Sequence, residues 1–585
     1  VKVAQACSEP SARVRRLVRA LDAAASVGLP DGVLDTLQEE LVGAETVTQS
    51  PRAARFQAPT SEVLRAVTPV RLRGGPFGTE NLERLQERYA LQGYVEGAEN
   101  RGISLSQLRQ VAQYLAEQCN KWNDTASAQF SKTAGKTLNM QVLNLYHVST
   151  WVIRPATKAH KCAFVELLVD RPQAPAWFVS HWWGEIVANF IKCIEAHTAT
   201  RCLSEDTFFW VCAYANRQHS LDAEIGNGDP KASSFFKAME LAEFKVLMIL
   251  DQKTELGGPA TPFLRVWCAF EASMCLDQVG TPPLDLATYS ESGPVFLTKS
   301  LTQKEEAMEL EKPGCGIGAK SAREKQFPLD IMEFGLKFKL QKAEASVPAD
   351  KARILNSIAK RDLDLKPLPE HERYDQINKR LHSLFALAFF RRAMDVEAAE
   401  GDGEGDNDAS GPQLRVQAKL AKALRNDEWR LFLSMDLAGC VGVCDKHMQL
   451  LNYCLPPGLR ELNLNLSNTK IGDAGLKKLA RGLPADLQAA SVDLTNCEAI
   501  TVRGVEAVRR MLPESMQALQ LALKGTQVSQ DVQDACLSLE GLRQCEALGP
   551  REGEEEEEGA EEEEEMDIEG LAAGGDADDD EEVEE

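Results

Sequence analysis

Apolar positions recur along this chain with two different periods, and the switches between them mark out its parts. Val14, Leu17, Val18 and Leu21, then Leu34, Leu37 and Leu41, lie three and four residues apart, which predicts helices in residues 1–50. Residues 51–80 are punctuated by Pro and Gly and read as a linker. Helical spacing returns in Leu82–Leu91 and in Leu105, Leu108, Val111, Leu115 and Cys119. From 141 to 170 the β-branched content rises, and Trp151–Pro155 and Phe164–Val169 read as short strands or extended pieces.

The stretch from Trp177 to Leu276 alternates short apolar runs with helical stripes. Trp177–Ser180, Phe208–Ala213 and Val246–Leu250 predict buried strands, because they are apolar without alternation. Between and after them, Ile186 to Ile194, Phe235 to Met239 and Phe263 to Met274 predict helices, and Tyr214–Pro230 reads as a polar loop. Leu284–Tyr289 and Val295–Leu297 add strand candidates. Repeated strand and helix imply an α/β fold with a doubly wound parallel sheet, whose ligands bind beyond the carboxyl ends of the strands. Charged helical sequence follows, clearest in 304–311 and Leu381–Met394, and then a Gly/Asp/Glu-rich linker at Glu397–Pro412.

From 413 to 546 the pattern repeats. Leu437, Leu466, Leu494 and Leu523 are spaced by 29, 28 and 29 residues, and Leu476/Leu479/Leu483-Pro484 aligns with Val505/Val508/Leu512-Pro513. The segments are therefore 1–75, a helical region and linker; 76–170, a lead-in; 171–300, the α/β domain; 301–395, a helical extension; 396–412, an acidic linker; 413–546, the repeats; and 547–585, an acidic tail.

Composition changes this picture at one end. The formal net charge is −24, but residues 551–585 hold 21 acidic side chains against one Arg and so account for 20 of those charges. That tail reads as disordered, and the near-neutral remainder has no basic footprint for nucleic acid. The 15 Cys, an odd number without a Cys-x-x-Cys pair, point to a reducing, cytoplasmic compartment. The opening Val1–Cys7 has neither an apolar leader core nor an initiator Met, as in a fragment or a processed chain. No run is long and apolar enough to predict a membrane span.

Several motifs carry little chemistry. Gly314–Ser321 departs from the phosphate-loop pattern, since Ala319 precedes Lys320. Cys440, Cys444, His447 and Cys454 coincide with repeat positions, and Cys193 with His197 lacks a second ligand pair, so no metal site is expected. Ser180 and His181 are adjacent on a strand and point to opposite sides, which excludes a Ser–His pair. Trp267 and Glu271 are the candidates that remain. They are neighbours on one helical face among Phe263, Phe270 and Met274, where a carboxylate is desolvated and its acidity perturbed.

The order of these pieces resembles the Toll/interleukin receptor (TIR) domain over about 120 residues: a strand entering a Ser-containing loop at Trp177–Glu185, a variable loop at Tyr214–Pro230, and Trp-Cys-x-x-Glu at Trp267–Glu271. The 413–546 segment resembles the leucine-rich repeat of the ribonuclease-inhibitor type. The TIR resemblance implies a flavodoxin-like sheet, with Glu271 as the catalytic residue in those members that cleave NAD. It also implies that Ser180, His181, Trp182 and Gly184 line the first loop of the pocket and that aromatics, Trp267 among them, stack on the base. The chain departs from the family in carrying His181-Trp182-Trp183 in place of an aromatic–Arg pair and in lacking Arg-Asp…Pro-Gly after the second strand. The first functional expectation is an intracellular signalling or interaction protein, self-associating through the TIR-like domain and binding protein through the repeats. The alternative is an NAD(P) glycohydrolase acting through Glu271, with NAD or NADP as substrate and no required cofactor. A doubly wound nucleotide binder unrelated to TIR domains is a third expectation.

Overall fold

The structure is a computed structural model that describes residues 75–127, 131, 133–226, 228–253, 258–278, 282–312, 314–345, 347–395, 411–440, 442–548 and 567–573. The helices expected in 1–50, most of the 51–80 linker, nearly all of the Glu397–Pro412 linker and most of the acidic tail lie outside these residues. The chain is a mixed α/β protein in two compact units: Val1–Ser300 with Lys339–Tyr374, and Leu301–Phe338 with Asp375–Glu585. Among the described residues no helix is long and apolar enough to cross a membrane.

The first unit is built on a six-stranded sheet. Its strands are β1 (Ile103–Ser104), β2 (Trp177–His181), β3 (Phe208–Trp210), β4 (Val246–Ile249), β5 (Leu284–Ser290) and β6 (Gly293–Thr298), in the order β1-β3-β2-β4-β5-β6. β2 to β5 are mutually parallel, with Trp177 opposite Phe209, Phe178 opposite Val246 and Val246 opposite Leu284. β1 and β6 close the two edges antiparallel. Every residue of β2 and β4 is buried, which is why Trp177–Val179 and Val246–Ile249 read as apolar runs without alternation. The helices Val187–Thr200, Ser234–Leu241 and Val266–Leu276 carry the chain from each parallel strand to the next. β3 and β4 flank β2 on opposite sides, so the chain, having passed from β2 to β3, crosses back past β2 to reach β4.

The core is continuous from Leu85 through Leu108, Trp122 and Trp151 to Phe190, Ile249 and Phe296. Two buried carboxylates tie it together. Asp285 on β5 pairs with His197 Nε2 at 2.9 Å and accepts from Arg201 Nε at 2.7 Å, and these two partners hold its carboxyl below the usual range against the opposing effect of burial. Glu166 accepts from the backbone N–H of Val95 at 2.8 Å and of Ala163 at 2.6 Å, and from Arg217 Nη2 at 2.6 Å.

Three local expectations are corrected. Residues 145–157 form consecutive helical turns, and Phe164–Leu167 is a 3-10 helix rather than a strand. Trp151, Val152 and Ile153 are buried in the shared core, with Trp151 stacked on Trp122 at 5.8 Å, so tertiary burial overrides β-branched preference. The second strand stops at Trp210, and Cys212–Ala215 turns into a helix. The expected loop Tyr214–Pro230 contains the helix Leu221–Ile225, closed by Gly226 in the left-handed region.

The second unit holds β7 (Phe432–Asp436), β8 (Glu461–Asn465), β9 (Ala489–Asp493) and β10 (Ala518–Ala522), all parallel and in the order β10-β9-β8-β7. On each strand two buried residues alternate with more exposed ones, as in Leu462 and Leu464 on β8. A helix follows each strand, and the same bonds recur from one repeat to the next. Asp445 accepts from Gly472 N and Asp473 from Thr501 N, both at 2.7 Å. Gly314–Ser321, the rejected phosphate loop, lies mostly within the helix Cys315–Glu324, which packs against β7. Within the acidic tail, Ile568–Ala573 is a helix whose Ile568 and Ala572 join the core of this unit.

Candidate functional site

A cavity of about 360 Å³ lies in the first unit. β2 and the turn after it bring His181 and Trp183, the Cys212–Ala215 helix brings Cys212, and the Val266–Leu276 helix brings Trp267, Cys268 and Glu271. Trp267 stacks on Phe235 with centroids 5.3 Å apart and meets Phe270 edge-on at 6.2 Å. On another wall Trp183 donates its Nε1–H to Cys212 Sγ at 3.2 Å and packs against Tyr146 at 5.7 Å. The walls are thus aromatic, with a few polar groups set among them, as in sites for planar ligands.

Glu271 is the electrostatic centre. It is 3% exposed, it lines the cavity, and its Oε2 has no hydrogen-bond partner. Burial pushes its carboxyl up to about 8, while Ser180 and the charge of Arg265 pull the other way. The Ser180 hydroxyl lies near the carboxyl but completes no hydrogen bond with it, and its own oxygen is likewise unpartnered. Arg265, at the start of the same helix, also lines the cavity and forms no ion pair among the described residues. His181 is held neutral, since burial lowers it to about 4, and its Nε2 has no partner. Burial raises both thiols, Cys212 to about 12 and Cys268 still further, so neither is a nucleophile at neutral pH.

Of the residues singled out from sequence, His181, Trp267 and Glu271 line the cavity. Ser180 lies buried beside Glu271 without lining it. Trp182 and Gly184 are elsewhere: the Trp182 ring folds back over Gly184, where any Cβ would collide with it. Trp183, the next residue along, takes the wall position instead. Four further titratable groups were not among the sequence candidates: Glu185, Asp251, Asp350 and Arg353. Glu185 is buried and pushed up to about 8, first by burial and then by the charge of Asp251. Asp251, at the end of β4, is tied by Thr261 N and Thr261 Oγ1, each at 2.6 Å. Asp350 and Arg353 reach the cavity from the helix Pro348–Ile358, and Asp350 Oδ2 accepts from Trp267 Nε1 at 3.4 Å. The Gly184-Glu185 pair was a visible signal for Glu185, but no local signal marks Asp350 or Arg353.

Cys193 and His197, considered as metal ligands, are both buried, and His197 is engaged by Asp285. Among the described residues no group of three His, Cys, Asp or Glu is placed to hold a metal ion. Comparison with protein-family models and with curated proteins finds no match for this chain.

Proposed function

We propose that the first unit is a TIR-type domain of doubly wound, flavodoxin-like topology and that it cleaves the bond between nicotinamide and ribose in NAD or NADP. The observation that carries this reading is the Glu271 carboxyl: buried, with an unpartnered oxygen, in an aromatic cavity near the carboxyl ends of parallel strands. In the reaction the C1′–N bond breaks and its electron pair stays on the ring nitrogen, releasing neutral nicotinamide. An oxocarbenium-like ribose is left, which water captures to give ADP-ribose (or its 2′-phosphate) and a proton. The departing pyridinium is a good leaving group, so a single carboxylate suffices where ordinary glycosidases use two. The role of Glu271 is to stabilise the positive charge on the ribose. A cationic ring entering the cavity draws the proton off Glu271, because an opposite charge at close range favours the ionised form. Trp267 and Trp183 offer faces for stacking, and the neutral His181 adds a hydrogen-bonding group without opposing charge.

The four-stranded parallel sheet with one helix per repeat supports reading the second unit as a short leucine-rich repeat arc that binds a protein partner. In this account the repeats sense a partner and the TIR-like domain responds, by turnover and by self-association. The test is release of free nicotinamide from NAD by the full chain and its loss in Glu271→Ala. A chain that assembles but releases none is the interaction scaffold.

A further inference from the structure

Part of the cavity wall does not come from the stretch that carries the TIR resemblance. It comes from the Pro348–Ile358 helix, more than 70 residues beyond Glu271, which supplies Asp350, Arg353 and Ile354. That helix packs on the Val266–Leu276 helix and on the turn Pro230–Ala232. Arg353 is placed by backbone. Gly228 has φ +92, and a Cβ there would run into the Arg353 guanidinium, so the group lies directly on the loop that ends at Pro230. Its ion pair is weak: Asp364 stands 3.6 Å away, and its side chain is 85% exposed and therefore screened. Arg265, the second guanidinium at the cavity, has no ion pair among the described residues. The two carboxyls that line the same space, Glu271 and Asp350, are both pushed by burial toward their neutral forms. The cavity therefore presents two guanidinium charges beside a Glu271 carboxyl that burial holds back from ionising near neutral pH.

We propose that Arg353 and Arg265 are anion-recognition residues and that the site selects a ligand bearing a diphosphate, of the nucleoside diphosphate class. A guanidinium presents its N–H groups as a planar fork that matches phosphate oxygens two at a time. The aromatic wall accepts a ring and the arginines a phosphate, so ring and diphosphate are recognised by different residues of one cavity. The proposal deepens the assignment of the cavity as a ligand site, and it makes the Pro348–Ile358 helix part of that site.

The test is calorimetric titration of the full chain with ADP-ribose, with adenosine and with inorganic pyrophosphate, in the wild type and in Arg353→Ala, Arg353→Lys, Arg265→Ala and Asp364→Ala. Thermal unfolding of each variant checks the fold. ADP-ribose binding should weaken by about tenfold or more in Arg353→Ala and in Arg265→Ala, in line with loss of a charge-assisted contact. Arg353→Lys should fall between, Asp364→Ala should bind at least as well as the wild type, and adenosine should be indifferent to all four. Pyrophosphate binding with the same dependence on Arg353 places the recognition on the phosphates rather than on the sugar. The proposal is overturned if Arg353→Ala binds ADP-ribose as the wild type does, or if it loses adenosine to the same degree. Binding with this arginine dependence but no nicotinamide release sustains the anion site and removes the glycohydrolase. Nicotinamide release whose kcat/KM is unmoved in Arg353→Ala does the reverse.

Discussion

Replacing Glu271 by Gln should make the protein more stable, and increasingly so as the pH rises. The substitution keeps the shape of the side chain and removes its ionisation. In the folded wild type the carboxyl holds its proton to about pH 8, against 4.5 for an unperturbed Glu. Between those values the folded protein binds a proton that the unfolded chain has released, so the contribution of this group to stability falls as pH rises through the window. At about 1.4 kcal/mol for each tenfold change in proton activity, the full cost by pH 8 is roughly 5 kcal/mol, an upper figure since local relaxation reduces it. At pH 5 wild type and Glu271→Gln should differ little, and by pH 8 the variant should lead by about 2–5 kcal/mol. Seven of the eight Trp lie in the first unit, so urea unfolding followed by Trp fluorescence reports on that unit. Taking the difference between the two proteins cancels the similarly raised Glu185. Parallel stability curves across pH 5–8.5 would refute the reasoning, because they would mean that the Glu271 carboxyl ionises freely in the folded state.

The proposed role of the same carboxyl also predicts a rate profile. If its anion stabilises the ribose cation, kcat/KM for NAD should rise with pH and level off near the free-enzyme value of about 8, while kcat levels off at lower pH, because bound substrate carries the positive ring. Stopped assays of nicotinamide from pH 6 to 9.5 check this, and a flat kcat/KM counts against a role for the anion. Away from the site, Asp285→Ala removes the carboxylate that engages His197 and Arg201 in the core and should cost about 3–5 kcal/mol in the unfolding of the first unit. Asp285→Asn should cost less, and a loss under 1 kcal/mol in Asp285→Ala would show that the network is not structural.

The parts of the fold that were legible in the sequence share a physical reason. β2 and β4 are buried on both faces, so Phe178-Val179 and Val246–Ile249 read as strands without help from neighbours. Glu271 stood out because a carboxylate within Val266-Trp-Cys-Ala-Phe-Glu-Ala-Ser-Met-Cys-Leu276 is conspicuous, and the structure buries all but Trp267 of that helix. Residues 145–157 misled because β-branched content is a weak preference that packing around Trp151 overrides. The choice between Trp182 and Trp183 turned on which neighbouring residue faces inward, which composition cannot decide and the contact with Gly184 does. Arg353 was invisible for another reason: its place depends on a pairing across some 80 residues, and its local sequence is that of an ordinary charged helix.

The most direct test of the central claim is nicotinamide release from NAD by the full chain at pH 8.5, compared with Glu271→Ala and Glu271→Gln. The account predicts measurable release by the wild type and a fall of about a thousandfold or more in both variants, with the far-UV and Trp signals of the folded protein retained. No release by folded wild type at high protein concentration and under crowding, or release that survives both substitutions, would contradict it.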